Sequence, residues 1–141
     1  MERRDVESMI IVDANIFIFG ETELAPEHEM AILKYKRACE SDRIGTNAII
    51  LSEVFHFSRK ISGLGGAAYR VENILNSSFV DFLDFTPESM IKAVKLARDF
   101  QMRINDALIA QHAIQNDASI LTDNVKDFKK IKSIKIIPLR N

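Results

Sequence analysis

The apolar positions fall into short unbroken runs separated by stretches of helical period. Met9-Ile10-Ile11-Val12 is continuous and rich in β-branched residues, the pattern of a strand buried on both faces of a parallel sheet. Residues 28–40 carry helical periodicity, Ile44-Gly45-Thr46 gives a weak strand signal, and Asn47 is placed to cap a helix running to about Lys60. Gly63, Gly65 and Gly66 mark a loop, after which a helix continues through Asn76. From Phe79 to Phe85 apolar and acidic residues alternate, as in a half-exposed strand. Thr86-Pro87-Glu88 is a helix start with a capping hydroxyl, a proline in the first turn and an acid at the positive end of the dipole. That helix is expected to end near Met102 and a second to run from Asn105 to about Asn116. The strand 119–122, a short helix near 124–131 and the strand 134–138 complete the series.

Strands that alternate with helices demand right-handed crossovers, so the expected fold is α/β: a three-layer α/β/α sandwich with a mostly parallel central sheet. Ligands bind such sheets outside the carboxyl ends of the strands. Asp13 and Asp123 each follow a strand pattern directly, which puts both on that edge. The 141 residues fit one domain, residues 1–141, that buries roughly two thirds of its unfolded surface. Residues 1–8 read as a polar N-terminal extension, since Met9 is itself a plausible start. No internal repeat or interdomain linker is visible.

Four carboxylates then change the picture. Asp13, Asp106 and Asp123 each have an ordinary account as a helix cap or a first-turn acid worth about 0.3–1 kcal/mol. Glu53 does not. Its helical neighbours at three and four residues are Ile49, Ile50, His56 and Phe57, a mostly apolar face, and an unpaired carboxylate buried there costs several kcal/mol or takes up a proton. Gathered in space, the four acids would make an anionic pocket suited to Mg²⁺ or Mn²⁺ and to metal-assisted phosphodiester chemistry, the reading of a small ribonuclease. One or two ions held chiefly by Asp13, Asp106 and Asp123 would activate water, with Glu53 orienting or deprotonating it as well as ligating. That route needs no ribose hydroxyl as nucleophile, so the expected ends are 5′-phosphate and 3′-hydroxyl.

The remaining polar residues refine this site. Asn15 and Thr46 are candidates to orient a carboxylate from behind, Asn124 to serve beside or in place of Asp123, and Asp127 to act one turn further out. His28, His56 and His112 are scattered and read as surface or partly buried histidines. Gly63-Leu64-Gly65-Gly66 follows a helix, which excludes the context of a phosphate-binding loop. Net charge is −1, so any grip on nucleic acid must be local. Lys126, Lys129, Lys130 and Lys132 lie just past Asp123 and are candidates to contact RNA phosphates, although such runs are more often plain solvated charge. The lone Cys39 excludes an intramolecular disulfide and a cysteine-based zinc site. No apolar run approaches the roughly 20 residues of a membrane span, and the expected location is the cytoplasm.

The strings Ile11-Val12-Asp13-Ala14-Asn15-Ile16-Phe17, Leu51-Ser52-Glu53-Val54, Asn105-Asp106-Ala107-Leu108-Ile109-Ala110 and Leu121-Thr122-Asp123-Asn124 with Asp127-Phe128 resemble the PIN-domain family, in order and in spacing, over nearly the whole chain. A chain with no extra domain looks most like the VapC-type toxins of prokaryotic toxin–antitoxin pairs. The resemblance implies an α/β/α sandwich, Asp13, Glu53, Asp106 and Asp123 as metal-binding acids, dependence on Mg²⁺ or Mn²⁺, an RNA substrate, homodimers and inhibition by a cognate antitoxin. Within the last string, Asp123, Asn124 and Asp127 all compete for the place facing the metal.

Other classes fit less well. A haloacid-dehalogenase-type phosphatase wants a second Asp two residues after the first, where this chain has Asn15. A phosphoacceptor signalling domain has no use for Glu53 in a helix, and a di-iron bundle needs a second Glu-x-x-His beyond Glu53–His56. A non-catalytic PIN-like module that binds RNA or protein is the more serious rival.

Overall fold

The computed structural model describes residues 8–140 and builds them around a five-stranded sheet whose pairings are all parallel. The chain runs β1 (Met9–Val12), α1 (Ala14–Gly20), α2 (His28–Ser41), β2 (Arg43–Thr46), α3 (Ala48–Asn76), β3 (Val80–Phe82), α4 (Pro87–Phe100), α5 (Ile104–Gln115), β4 (Ser119–Thr122), α6 (Val125–Phe128) and β5 (Ile136–Pro138). The α/β sandwich expected from the alternation is therefore present, with its sheet wholly rather than mostly parallel. Ile11, Val12, Ile44, Ile120 and Leu121 are completely or almost completely buried, as unbroken apolar runs in a doubly covered sheet should be. The expected extension at residues 1–8 lies, apart from Ser8, outside the described residues.

Strand order is β3-β2-β1-β4-β5. From β1 the chain steps outward through β2 to β3, crosses back to β4 and steps outward on the other side to β5. Right-handed crossovers send α1, α2 and α3 to one face and α4, α5 and α6 to the other, in keeping with the contacts of α1 with α2 and α3 and of α5 with α4 and α6. The direction of winding reverses between β1 and β4, and the crevice at the carboxyl ends of those two strands is where such a sheet holds a ligand.

Several local signals translate directly into geometry. Asn47 caps α3, its side-chain oxygen accepting from the Ile50 amide at 2.9 Å. Thr86 and Ser89 close a reciprocal capping box at the start of α4, with Pro87 in the first turn. Three elements differ from expectation. The glycine-rich loop is reduced to a single kink at Gly63 (φ 74°, ψ −176°), with Gly65 and Gly66 inside the second half of α3. Strands β3 and β5 are shorter than the expected 79–85 and 134–138, covering Val80–Phe82 and Ile136–Pro138. None of the described helices is long and apolar enough to cross a membrane.

Candidate active site

Asp13 sits where β1 ends and α1 begins, and both of its sequence readings hold at once. One carboxylate oxygen caps α1 by accepting from the Ala14 amide at 2.8 Å; the other accepts from the Thr122 hydroxyl at 2.7 Å and the Asn15 amide nitrogen at 3.3 Å. The register that pairs Val12 with Leu121 places Thr122 beside it. Asn15 also accepts from the Asp123 backbone amide at 3.1 Å, and the Asn124 amide donates to Thr122 Oγ1 at 2.9 Å. The ends of β1 and β4 are thus laced together around an acid only 5% exposed. Burial raises the Asp13 pKa above the ordinary carboxylate value, against these hydrogen bonds, which favour the charged form.

Helices α3 and α5 bring the next two acids to the same place. Asp13, Glu53, Asp106 and Asn124 line one open cleft of about 520 Å³. Asp106, in the first turn of α5, is 7% exposed, and its Oδ2 is buried with no hydrogen-bond partner. Its pKa is raised chiefly by burial and further by the charges of Asp13 and Asp127, while Arg103 and a hydrogen bond from Asn124 oppose the shift. Glu53 is raised by burial and by Asp13 and Asp106, against Arg103 and a hydrogen bond from Asn105. Burial raises all three acids, and Asp13 adds to the shift of both Glu53 and Asp106, so the cleft is a pocket in need of positive charge.

The structure does not bring Asp123 into that cleft. Its carboxylate turns away to a two-pronged pair with Arg140, at 2.8 and 2.9 Å, and the same guanidinium reaches Glu27 at 2.6 Å. Asn124 occupies the cleft side instead, and Asp127 acts on Asp106 through its charge. Thr46 is fully buried with its hydroxyl unpartnered. Lys126, Lys129, Lys130 and Lys132 are exposed; Lys130 meets Asp127 at 3.8 Å and the Gln101 carbonyl at 3.2 Å, beside the turn into α5.

Sequence reasoning missed Arg103, the cation that lines the cleft and acts on all three acids. A signal was available, since a positive residue at the start of a helix opposes the dipole and calls for nearby acids. It also missed Thr122 as the hydroxyl that holds Asp13 in place.

No metal-ligating group of three or more His, Cys, Asp or Glu side chains is already assembled among the described residues. The donor set nevertheless fits a hard divalent cation. It is all oxygen, desolvated, mutually repelling, and includes the unpartnered Asp106 Oδ2.

Comparison with known proteins agrees with this architecture. The PIN-domain family profile matches residues 10–134. Among solved structures, VapBC2 from Rickettsia felis, bound to a DNA fragment from its promoter, is 20% identical with a TM-score of 0.72 over 92% of this chain and 98% of that one. VapBC-1 from nontypeable Haemophilus influenzae is 20% identical with a TM-score of 0.72 over 94% and 99%. VapC20 from Mycobacterium tuberculosis, a toxin that cleaves the sarcin–ricin loop, is 15% identical with a TM-score of 0.66 over 83% and 92%. At these identities the likeness is one of fold. No curated protein matches the chain by sequence.

Proposed function

The chain belongs to the PIN-domain family, and on that premise we propose that it acts as a single-domain, divalent-metal-dependent endoribonuclease, the toxin of a toxin–antitoxin pair. The observation that carries the reading is the cleft at the winding reversal, where Asp13, Glu53 and Asp106 converge and a buried carboxylate oxygen has no partner. Asp13, Asp106 and Glu53 would hold Mg²⁺ or Mn²⁺, with Asn124 and Asp127 rather than Asp123 beside them. A bound ion of that kind supplies charge to a phosphorane-like transition state and lowers the pKa of water.

The chain's own residues have separable tasks. Asp13 is fixed by Thr122, Ala14 and Asn15, so its geometry is set before any substrate arrives. Glu53, on a helix edge and held above its ordinary pKa, is suited to accept a proton from the attacking water. Arg103 is placed to take a non-bridging phosphate oxygen, and Lys126, Lys129, Lys130 and Lys132 extend the positive border. A cognate antitoxin belongs to the same proposal, supported by the fold shared with the VapBC structures; cytoplasmic location and a homodimer are proposed with it.

The decisive test joins titration calorimetry with Mn²⁺ to cleavage of an unpaired RNA and analysis of its ends. Binding at or below millimolar Mn²⁺, with 5′-phosphate and 3′-hydroxyl products, is the expected result. Absence of binding would favour the rival reading, a non-catalytic module.

Arg103 gives a sharper expectation because its effects have opposite signs. Arg103→Ala removes a cation that competes with the metal, so Mn²⁺ affinity should rise severalfold. RNA binding should weaken for all sequences alike, with the salt slope reduced by about one. Loss of metal binding and RNA binding together would instead mark Arg103 as a support of the fold.

A further inference from the structure

The cleft is chemically mixed: besides the acids and Arg103, its lining includes His56, Phe57 and Ile18. His56 and Phe57 stand three and four residues beyond Glu53 on α3, so one helix face presents the acid and, a turn further on, two flat rings. His56 is exposed and Phe57 is half-buried. Phe57 lines the cleft and is not among the side chains packed on the two buried clusters.

Resting on the nuclease reading, we infer that His56 and Phe57 form a nucleobase subsite: the base adjoining the scissile phosphate leaves the stack and lies against Phe57, with His56 at its edge. The rings and the acids share one cleft of about 520 Å³, a size suited to a single nucleotide unit. Stacking on an aromatic face tolerates any base, because every base has a π-face, while a neighbouring polar edge grades the preference. A base held in this way must be unpaired. The subsite fixes which phosphate meets the acids, since a stacked base sets the register of the backbone past Glu53.

The test uses the full chain in Mn²⁺ and a labelled 12-nucleotide unpaired RNA, together with versions carrying one abasic residue at each position in turn. For the wild type, one abasic position beside the cut should raise KM about tenfold. Phe57→Leu keeps an apolar side chain of similar bulk and should raise KM on intact RNA by the same factor, leaving kcat and Mn²⁺ affinity near wild type. In that variant the abasic substitution should cost nothing more, and Phe57→Tyr should restore the wild-type pattern. An unchanged KM in Phe57→Leu, or equal abasic penalties in variant and wild type, would overturn the subsite and leave the nuclease reading standing. A wild type that cuts no unpaired RNA would remove both.

Discussion

Asp106→Asn should lower RNA cleavage by roughly 10²–10⁴-fold and abolish the stabilisation by Mn²⁺, while the metal-free protein melts at a higher temperature than wild type at pH 7. The two effects have one origin. Asp106 is almost buried, its pKa is raised by burial and by Asp13 and Asp127, and one of its oxygens has no partner. An acid whose pKa is raised on folding contributes most when protonated, below its unfolded value, and loses that contribution as pH rises through the folded value. At pH 7, well above the unfolded value, Asp106 therefore opposes folding, and Asn relieves this by putting a neutral donor among acceptors. The melting difference should shrink as pH falls toward the carboxylate range, where wild type is protonated too. Mn²⁺ should raise the wild-type melting temperature and leave the variant unmoved. Cleavage near the wild-type rate in the Asn variant would remove Asp106 from the chemistry, and a melting difference independent of pH would show that charge is not what the substitution relieves.

The largest expected loss of stability lies behind the cleft, at His112. This residue is wholly buried on α5, stacks on Phe85 with ring centroids 4.2 Å apart, and bonds at both nitrogens. Nδ1 accepts from the Asn47 amide at 2.9 Å, and Nε2–H donates to the Asp84 carbonyl at 2.9 Å. Since Asn47 caps α3, a single imidazole joins the helix bearing Glu53 to the helix bearing Asp106. His112→Ala should cost about 3–5 kcal/mol, for the lost ring and two buried groups left unpaired. Burial lowers the His112 pKa, so the neutral ring stabilises the fold fully above about pH 6.5 and loses its contribution as pH falls through the folded value. His112→Phe keeps the stack and cannot titrate. Its stability difference from wild type, measured by denaturant unfolding from pH 7.5 to 5, should narrow on acidification; a constant difference would mean that the imidazole's charge state plays no part.

The parts of this molecule legible in the sequence are those where burial and backbone direction act together. A β-branched run ending in Asp13 locates a strand, its exit edge and an acid in one short string. Glu53 is legible because a charged residue on an apolar helix face has few inexpensive solutions. What escaped depends on rotations that a sequence does not record. Asp123 and Asn124 are adjacent at the end of a strand, and a single step there exchanges the neighbour facing the cleft for the neighbour facing away. Arg140 holds Asp123 outward from 17 positions along the chain, a pairing no local pattern announces. His112 was legible in principle, since every residue from Asp106 to Ala113 is buried and a helix hidden all round must satisfy its polar members internally. At Gly63 the sequence showed a break but not its extent, because the helical periods on either side are compatible with a loop or with one kinked residue.

The bond between Thr122 and Asp13 spans 109 positions, and that separation has a consequence for the life of the chain. Closing so long a loop is slow compared with forming the helices between its ends. During synthesis at about 5–20 residues per second, β1 waits several seconds before β4 has even been made. Until then Asp13 has neither its threonine nor the strand that orients it. A nascent or truncated chain lacking β4 carries the three cleft acids without the strand end that fixes Asp13; on the nuclease reading proposed above, such a chain should cut no RNA.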